Sequence, residues 1–165
     1  MVLPGADAGT RPFTDGIAWF MRHYADTQAK AGKAAYLYQF ARVPASAPGK
    51  TNGGPSHAAE LAYMFGTLGT VREVPDNSDP AVVSQSAPDI GLADQMMTYW
   101  TNFARTGNPN GAGLPNWPRG ICVTCGQAML LDVDSKPGQT MTPTQVALYD
   151  ALFERDIAGP LGLKK

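Results

Sequence analysis

The sequence predicts an α/β fold whose sheet is incomplete within the chain. In the stretch AAYLYQFA, 34–41, Tyr36, Tyr38 and Phe40 alternate with Ala35, Leu37 and Gln39, so both faces are largely apolar. That is the character of a central parallel strand covered on both sides. Segments of helical periodicity stand before and after it. One further strand is visible, the short AMLLDV at 128–133, which reads as an edge. Helices packed around one central and one edge strand leave the central strand short of neighbours. The remaining strands are therefore expected in sequence outside this chain.

The elements follow in order. Helix 14–30 is predicted from Ile17, Phe20, Met21 and Tyr24 at i, i+3, i+4 and i+7, with Gly32 placed to stop it. After strand 34–41 comes a Pro/Gly/Ala loop, 42–55, and then a helix from about 56 to 65. Leu61, Met64, Phe65 and Leu68 form its stripe and Gly66 its end. The most regular element is PDIGLADQMMTYWTNFART, 88–106, with Leu92, Met96, Trp100 and Phe103 facing inward. Ser86 and Asp89 offer a capping box, and Gly107-Asn108-Pro109 stops the helix. A Gly/Pro/Asn-rich loop, 107–127, leads to the second strand. Thr142-Pro143-Thr144-Gln145 is a helix start with capping Thr, Pro at the first helical position and Gln at the third. Val146, Tyr149, Leu152 and Phe153 should face inward, with Gly159-Pro160 as the end.

Composition narrows the class of function. The chain has 165 residues, a formal net charge of −1 and 16% charged residues, so neither a nucleic-acid nor a membrane-surface partner is suggested. No basic region followed by an apolar run opens the sequence, so no signal peptide is expected. No apolar run approaches the ~18 residues of a membrane span, and a soluble chain is expected. Cytoplasmic and secreted locations both stay open.

Chemistry concentrates in GGPSHAAELAYMFG, 53–66, which carries His57, one of two histidines. In order along the chain, AAYLYQF, GGPSHAAELAYMFG, LADQMMTYWTNFARTGNPN and LPNWP resemble the C-terminal part of type-B carboxylesterases. These are α/β-hydrolases that include the para-nitrobenzyl esterases and cholinesterases. The resemblance runs from about Thr14 to the end, and YWTNFARTGNPN is its most specific part. It implies the C-terminal portion of an α/β-hydrolase fold and a serine esterase with a Ser–His–Glu/Asp triad. His57 matches the catalytic histidine. Such an imidazole takes the serine proton and returns it to the leaving alcohol. Glu60 matches an acidic position of the family; it is read as supporting the site, not as the triad acid. A small-molecule carboxylic ester is the implied substrate, with no metal and no cofactor.

The rest of the machinery is not in this sequence. In this superfamily the chain order is Ser, then Asp/Glu, then His. The residues before His57 contain no G-x-S-x-G and no glycine-rich oxyanion run. Their acids, Asp7, Asp15 and Asp26, lie before or within the first helix rather than after a sheet strand. The missing N-terminal part of the fold is thus the expected partner. Gly54-Pro55-Ser56-His57-Ala58 only imitates a nucleophile elbow, because a loop separates Ser56 from the strand; Ser56 reads as a helix cap or spacer. His23 reads as an ordinary helix residue. Cys122-Val-Thr-Cys125 lacks the second pair that zinc requires and the βαβ setting of a redox motif. Two other readings stand beside the esterase: a triad-less adhesion or binding module, and a truncated product inactive by itself.

Overall fold

The computed structural model describes residues 11–43, 55, 58–69, 86–119 and 127–163. In chain order they form α1 (Arg11–Lys30), β1 (Tyr38–Phe40), α2 (Glu60–Met64), α3 (Ala87–Thr106), β2 (Gln127–Leu131), β3 (Lys136–Gln139) and α4 (Pro143–Phe153). A π-helical turn, Glu154–Ala158, and a short α5, Gly159–Leu161, complete the series. The chain divides into two compact units. One holds residues 1–37, 118–128 and 138–165; the other holds 38–117 and 129–137.

In the second unit, α3 is the central element. Ser86 caps it, its side chain accepting from the Asp89 backbone N–H, and Gly107 ends it at φ 73°. That left-handed conformation costs glycine nothing. Leu92, Ala93, Met96 and Tyr99 are buried. The expected inward stripe is therefore rotated: Trp100 is half-buried and Phe103 exposed, while Tyr99 takes the core position. Trp100 packs edge-on against Tyr38, with ring centroids 5.2 Å apart, and Tyr99 meets Trp117 at 5.0 Å. Helix α2 packs on α3. It is shorter than expected and its stripe is different: Tyr63 is buried, whereas Leu61 and Phe65 are exposed. Its N-cap is Ala59, which makes no side-chain capping bond, and Ser56, expected as a helix cap or spacer, lies outside the described residues. Gly66 follows at φ 64°, where a Cβ would stand 2.9 Å from Met97 Sδ.

The most specific motif, YWTNFARTGNPN with NWP, proves to be architectural. Asn102 Nδ2 donates to the Pro109 carbonyl at 3.1 Å. Asn110 Nδ2 donates to the Trp117 carbonyl at 3.0 Å, and the Trp117 N–H returns a bond to Asn110 Oδ1 at 2.6 Å. Tyr99 Oη donates to the Pro115 carbonyl at 2.6 Å. These bonds satisfy backbone groups of a largely exposed loop that buries Pro109 and Trp117.

The sheet has the order β1-β2-β3. β1 pairs parallel with β2, Tyr38 opposite Met129 and Phe40 opposite Leu131. Segment 34–41 contributes only three residues of strand, and these are half-buried to exposed. A neighbour for it does exist in the chain: β2, whose Ala128, Met129 and Leu131 are buried. β2, expected at an edge, lies between two strands, and β1 has one neighbour among the described residues. Strand β3 was not expected, since KPGQ carries both strand-disfavouring residues and no alternation.

In the first unit α1 packs on α4. Thr142 forms the expected capping box with Gln145, and Pro143 sits in the first turn. The face of α1 that meets α4 is not the expected one. Trp19 is buried and donates from Nε1 to Asp150 Oδ1 at 2.8 Å. Its ring stacks on His23 at 4.9 Å and lies 5.2 Å from Phe153. Asp15 accepts from Gln145 Nε2 at 2.9 Å. The predicted stripe of Ile17, Phe20, Met21 and Tyr24 is 48–64% exposed instead. Val146, Tyr149, Leu152 and Phe153 are half-buried. The chain also runs past Gly159-Pro160. Pro160 falls in the first turn of α5, where its missing N–H is not needed, and Gly162 at φ 63° makes the stop. A Cβ on Gly159 would lie 2.9 Å from the Glu154 carbonyl oxygen, so the π-helical turn requires glycine there.

Candidate active site

The carboxyl ends of parallel strands are where α/β proteins gather ligands. Beyond the end of β1 stands Arg42, and beyond β2 stands Asp132. Ala41 N–H donates to the Leu131 carbonyl at 2.9 Å and continues the pairing past the strand. Arg42 Nε then donates to Asp89 Oδ1 at 2.6 Å, while Nη1 stands 3.7 Å from Asp132 Oδ1. Asp89 is wholly buried at the start of α3. Its Oδ1 also accepts from Tyr63 Oη on α2 at 2.9 Å, and its Oδ2 from Ser86 Oγ at 2.5 Å.

A buried carboxylate with three side-chain donors is stable only as a complete set, because losing one partner strands a charge out of water. The hydrogen bond to Asp89 raises the Arg42 pKa further. Burial, and then the bond to Asp89, push the Tyr63 phenol well above its usual range, so it remains a donor at any physiological pH. Asp89 was expected only as part of a capping box, and Arg42 only as a loop residue. One signal was present: Asp89 lies three residues before Leu92, in line with the buried stripe of α3.

Glu60, the supporting acid, is the first residue of α2 and is half-buried. Burial raises the pKa of Tyr38, and the negative charge of Glu60 raises it further, so Glu60 lies within electrostatic reach of β1. Ala58 precedes this helix at φ 62°, a left-handed conformation that costs a non-glycine residue roughly 1 kcal/mol. His57 and Ser56 lie outside the described residues, as do Cys122 and Cys125. The acids before His57 that are described hold other posts: Asp15 binds Gln145, and Asp26 lies 3.8 Å from Arg22. His23 stacks on Trp19, with the tilted ring of Phe153 beside both. Among the described residues no group of three His, Cys, Asp or Glu could hold a metal ion. No described helix is long and apolar enough to cross a membrane.

A model of the carboxylesterase family matches residues 11–149. The chain belongs to the carboxylesterase family. Carboxylesterase 4A of Bos taurus is 39% identical over 125 residues, covering 75% of this chain but 20% of that protein. The medium-chain fatty acyl-CoA hydrolase precursor of Anas platyrhynchos is 38% identical over 101 residues, covering 59% and 15%. Among solved structures, the carboxylesterase EST55 of Geobacillus stearothermophilus superposes with a TM-score of 0.54 at 27% identity, over 74% of this chain and 23% of that one. The carboxylesterase chain thus spans about a fifth of the length of these relatives, and its α/β-hydrolase fold is a C-terminal part of theirs.

Proposed function

We propose that this carboxylesterase chain serves carboxylic-ester hydrolysis, with His57 as the general base of a Ser–His–Glu/Asp triad. The observation that carries the reading is the family match across 11–149, which contains GGPSHAAEL. The described part of the motif supports it: α2, which begins at Glu60, is tied through Tyr63 to Asp89, the carboxylate that also holds Arg42 just beyond the end of β1. In the proposed reaction His57 removes the proton from a serine hydroxyl as the serine attacks the ester carbonyl. The same imidazolium then protonates the departing alcohol. Glu60 supports the loop-to-helix junction. The serine, the triad acid and the oxyanion donors come from the part of the fold that precedes this segment in relatives. Alone, the chain offers none of them and turns over no ester.

His57 inside an intact motif favours an enzyme over a triad-less binding module, which has no chemical use for it. The test joins the chain to the N-terminal part of a matching esterase and measures p-nitrophenyl ester turnover. His57→Ala is expected to lower the restored turnover by at least roughly 10³-fold. Turnover that survives the substitution contradicts the assignment.

A further inference from the structure

We infer that Asn110-Gly111 is a deamidation site gated by the loop that holds it, and that its reaction releases Trp117 irreversibly. The ground is a conflict between chemistry and packing. Asn followed by Gly is the dipeptide most prone to succinimide formation, because glycine puts no side chain in the way of its own nitrogen. Yet the loop needs both residues. Asn110 offers Trp117 an acceptor and a donor together: Oδ1 accepts from the Trp117 N–H at 2.6 Å, and Nδ2 donates to the Trp117 carbonyl at 3.0 Å. Nδ2 also donates to Asn108 Oδ1 at 3.0 Å. A Cβ on Gly111 would stand 2.7 Å from Asn102 Nδ2, which is itself bonded to the Pro109 carbonyl. Gly111 is exposed and Asn110 half-buried, so water reaches the pair.

In the reaction the Gly111 nitrogen bonds to Asn110 Cγ, the Cγ–Nδ2 bond breaks, and Nδ2 leaves as ammonia, taking up the proton that the Gly111 nitrogen gives up. Water then opens the succinimide at either carbonyl, leaving aspartate or isoaspartate. Closing the ring takes the side chain out of its bonded position. A typical intramolecular hydrogen bond shifts an equilibrium roughly 5-fold, so the three together slow the reaction roughly 10²-fold until the loop opens. The product cannot restore the loop. Aspartate sets a carboxylate oxygen, with no hydrogen to donate, where Nδ2 faced the Trp117 carbonyl and Asn108 Oδ1. Isoaspartate adds a carbon to the backbone. Trp117 is buried against Tyr99 and Trp100, with ring centroids 5.0 and 5.7 Å away, so losing its anchor loosens the packing on α3.

The test incubates the 165-residue chain at mildly alkaline pH, in buffer and in urea, and follows Asn110 by peptide mapping with isoaspartate detection. Conversion should be roughly 10²-fold slower in buffer than in urea. Asn108→Ala removes one of the three side-chain bonds; it should speed conversion roughly 5-fold in buffer and leave the rate in urea unchanged. In converted chains the Trp117 amide should exchange its hydrogen at least roughly 10-fold faster. If the isolated chain does not hold its fold in buffer, the chain joined to the N-terminal part of a matching esterase decides. There, equal rates in buffer and urea, or an Asn108→Ala rate equal to wild type in buffer, overturn the gating. No conversion in urea overturns the site, and unchanged exchange in converted chains overturns the release of Trp117.

Discussion

Helices α1 and α3 are each 20 residues long, and each carries an apolar stripe of helical period. Helix α3 buries Leu92, Ala93, Met96 and Tyr99 against α2 and the loop that ends at Trp117. Helix α1 turns a neighbouring face, Asp15, Trp19 and His23, toward α4 and leaves Ile17, Phe20, Met21 and Tyr24 exposed. An amphipathic stripe therefore records that a helix has a partner, without saying that the partner lies in the same stretch of sequence. The match to carboxylesterase 4A covers only 20% of that protein, so most of the relative lies outside the matched segment.

The largest expected effect separates the two helices by stability. Met96→Ala should cost about 2–5 kcal/mol, as for a fully buried side chain, whereas Met21→Ala should stay within about 0.5 kcal/mol. Urea unfolding of both variants measures this; equal costs would mean that the α1 stripe is covered after all. Next, the isolated chain should self-associate and bind an apolar dye through the α1 stripe, and Phe20→Ser with Met21→Ser should weaken both. Sedimentation velocity reads it, and a monodisperse wild-type monomer that ignores the dye counts against the exposed stripe.

Two titrations give smaller contrasts. Burial pushes the Tyr99 phenol up to about 12. The neutral form is favoured in the folded state, so its contribution is complete below the ordinary value of about 10 and is lost as pH rises to about 12. Tyr99→Phe should flatten that stretch of the stability curve. On α1, burial raises the Asp26 pKa above 3.8, although Arg22 and Lys30 oppose it. The protonated form is favoured here as well, so stability declines as pH rises from about 4 through the raised value. Asp26→Asn should remove the decline, and an unchanged slope would assign it to another group.

What was legible in the sequence was local. Ser86 and Gly107 bound α3, and Thr142 with Gln145 opens α4, because a cap needs residues only three or four positions apart. The family motif likewise identified the fold, since its asparagines satisfy the backbone of a loop close by. The α1 face was misjudged because its apolar residues outnumber those that α4 receives. β3 was invisible because its Pro and Gly argue for a turn. The Arg42–Asp89 bond joins residues 47 positions apart, and each passed for something ordinary when read beside its own neighbours. Of the proposed site, Glu60 was placed by motif alone, and His57 lies outside the described residues.

The most direct test of the central claim is the hydrolysis of a p-nitrophenyl ester by the isolated 165-residue chain, with organophosphate labelling alongside. If this segment contributes the histidine and other sequence contributes the serine, turnover will not exceed that of free imidazole, and no stoichiometric label will appear. Saturable hydrolysis that Ser56→Ala abolishes would contradict the account, because it would make Ser56 the nucleophile and this segment an enzyme by itself.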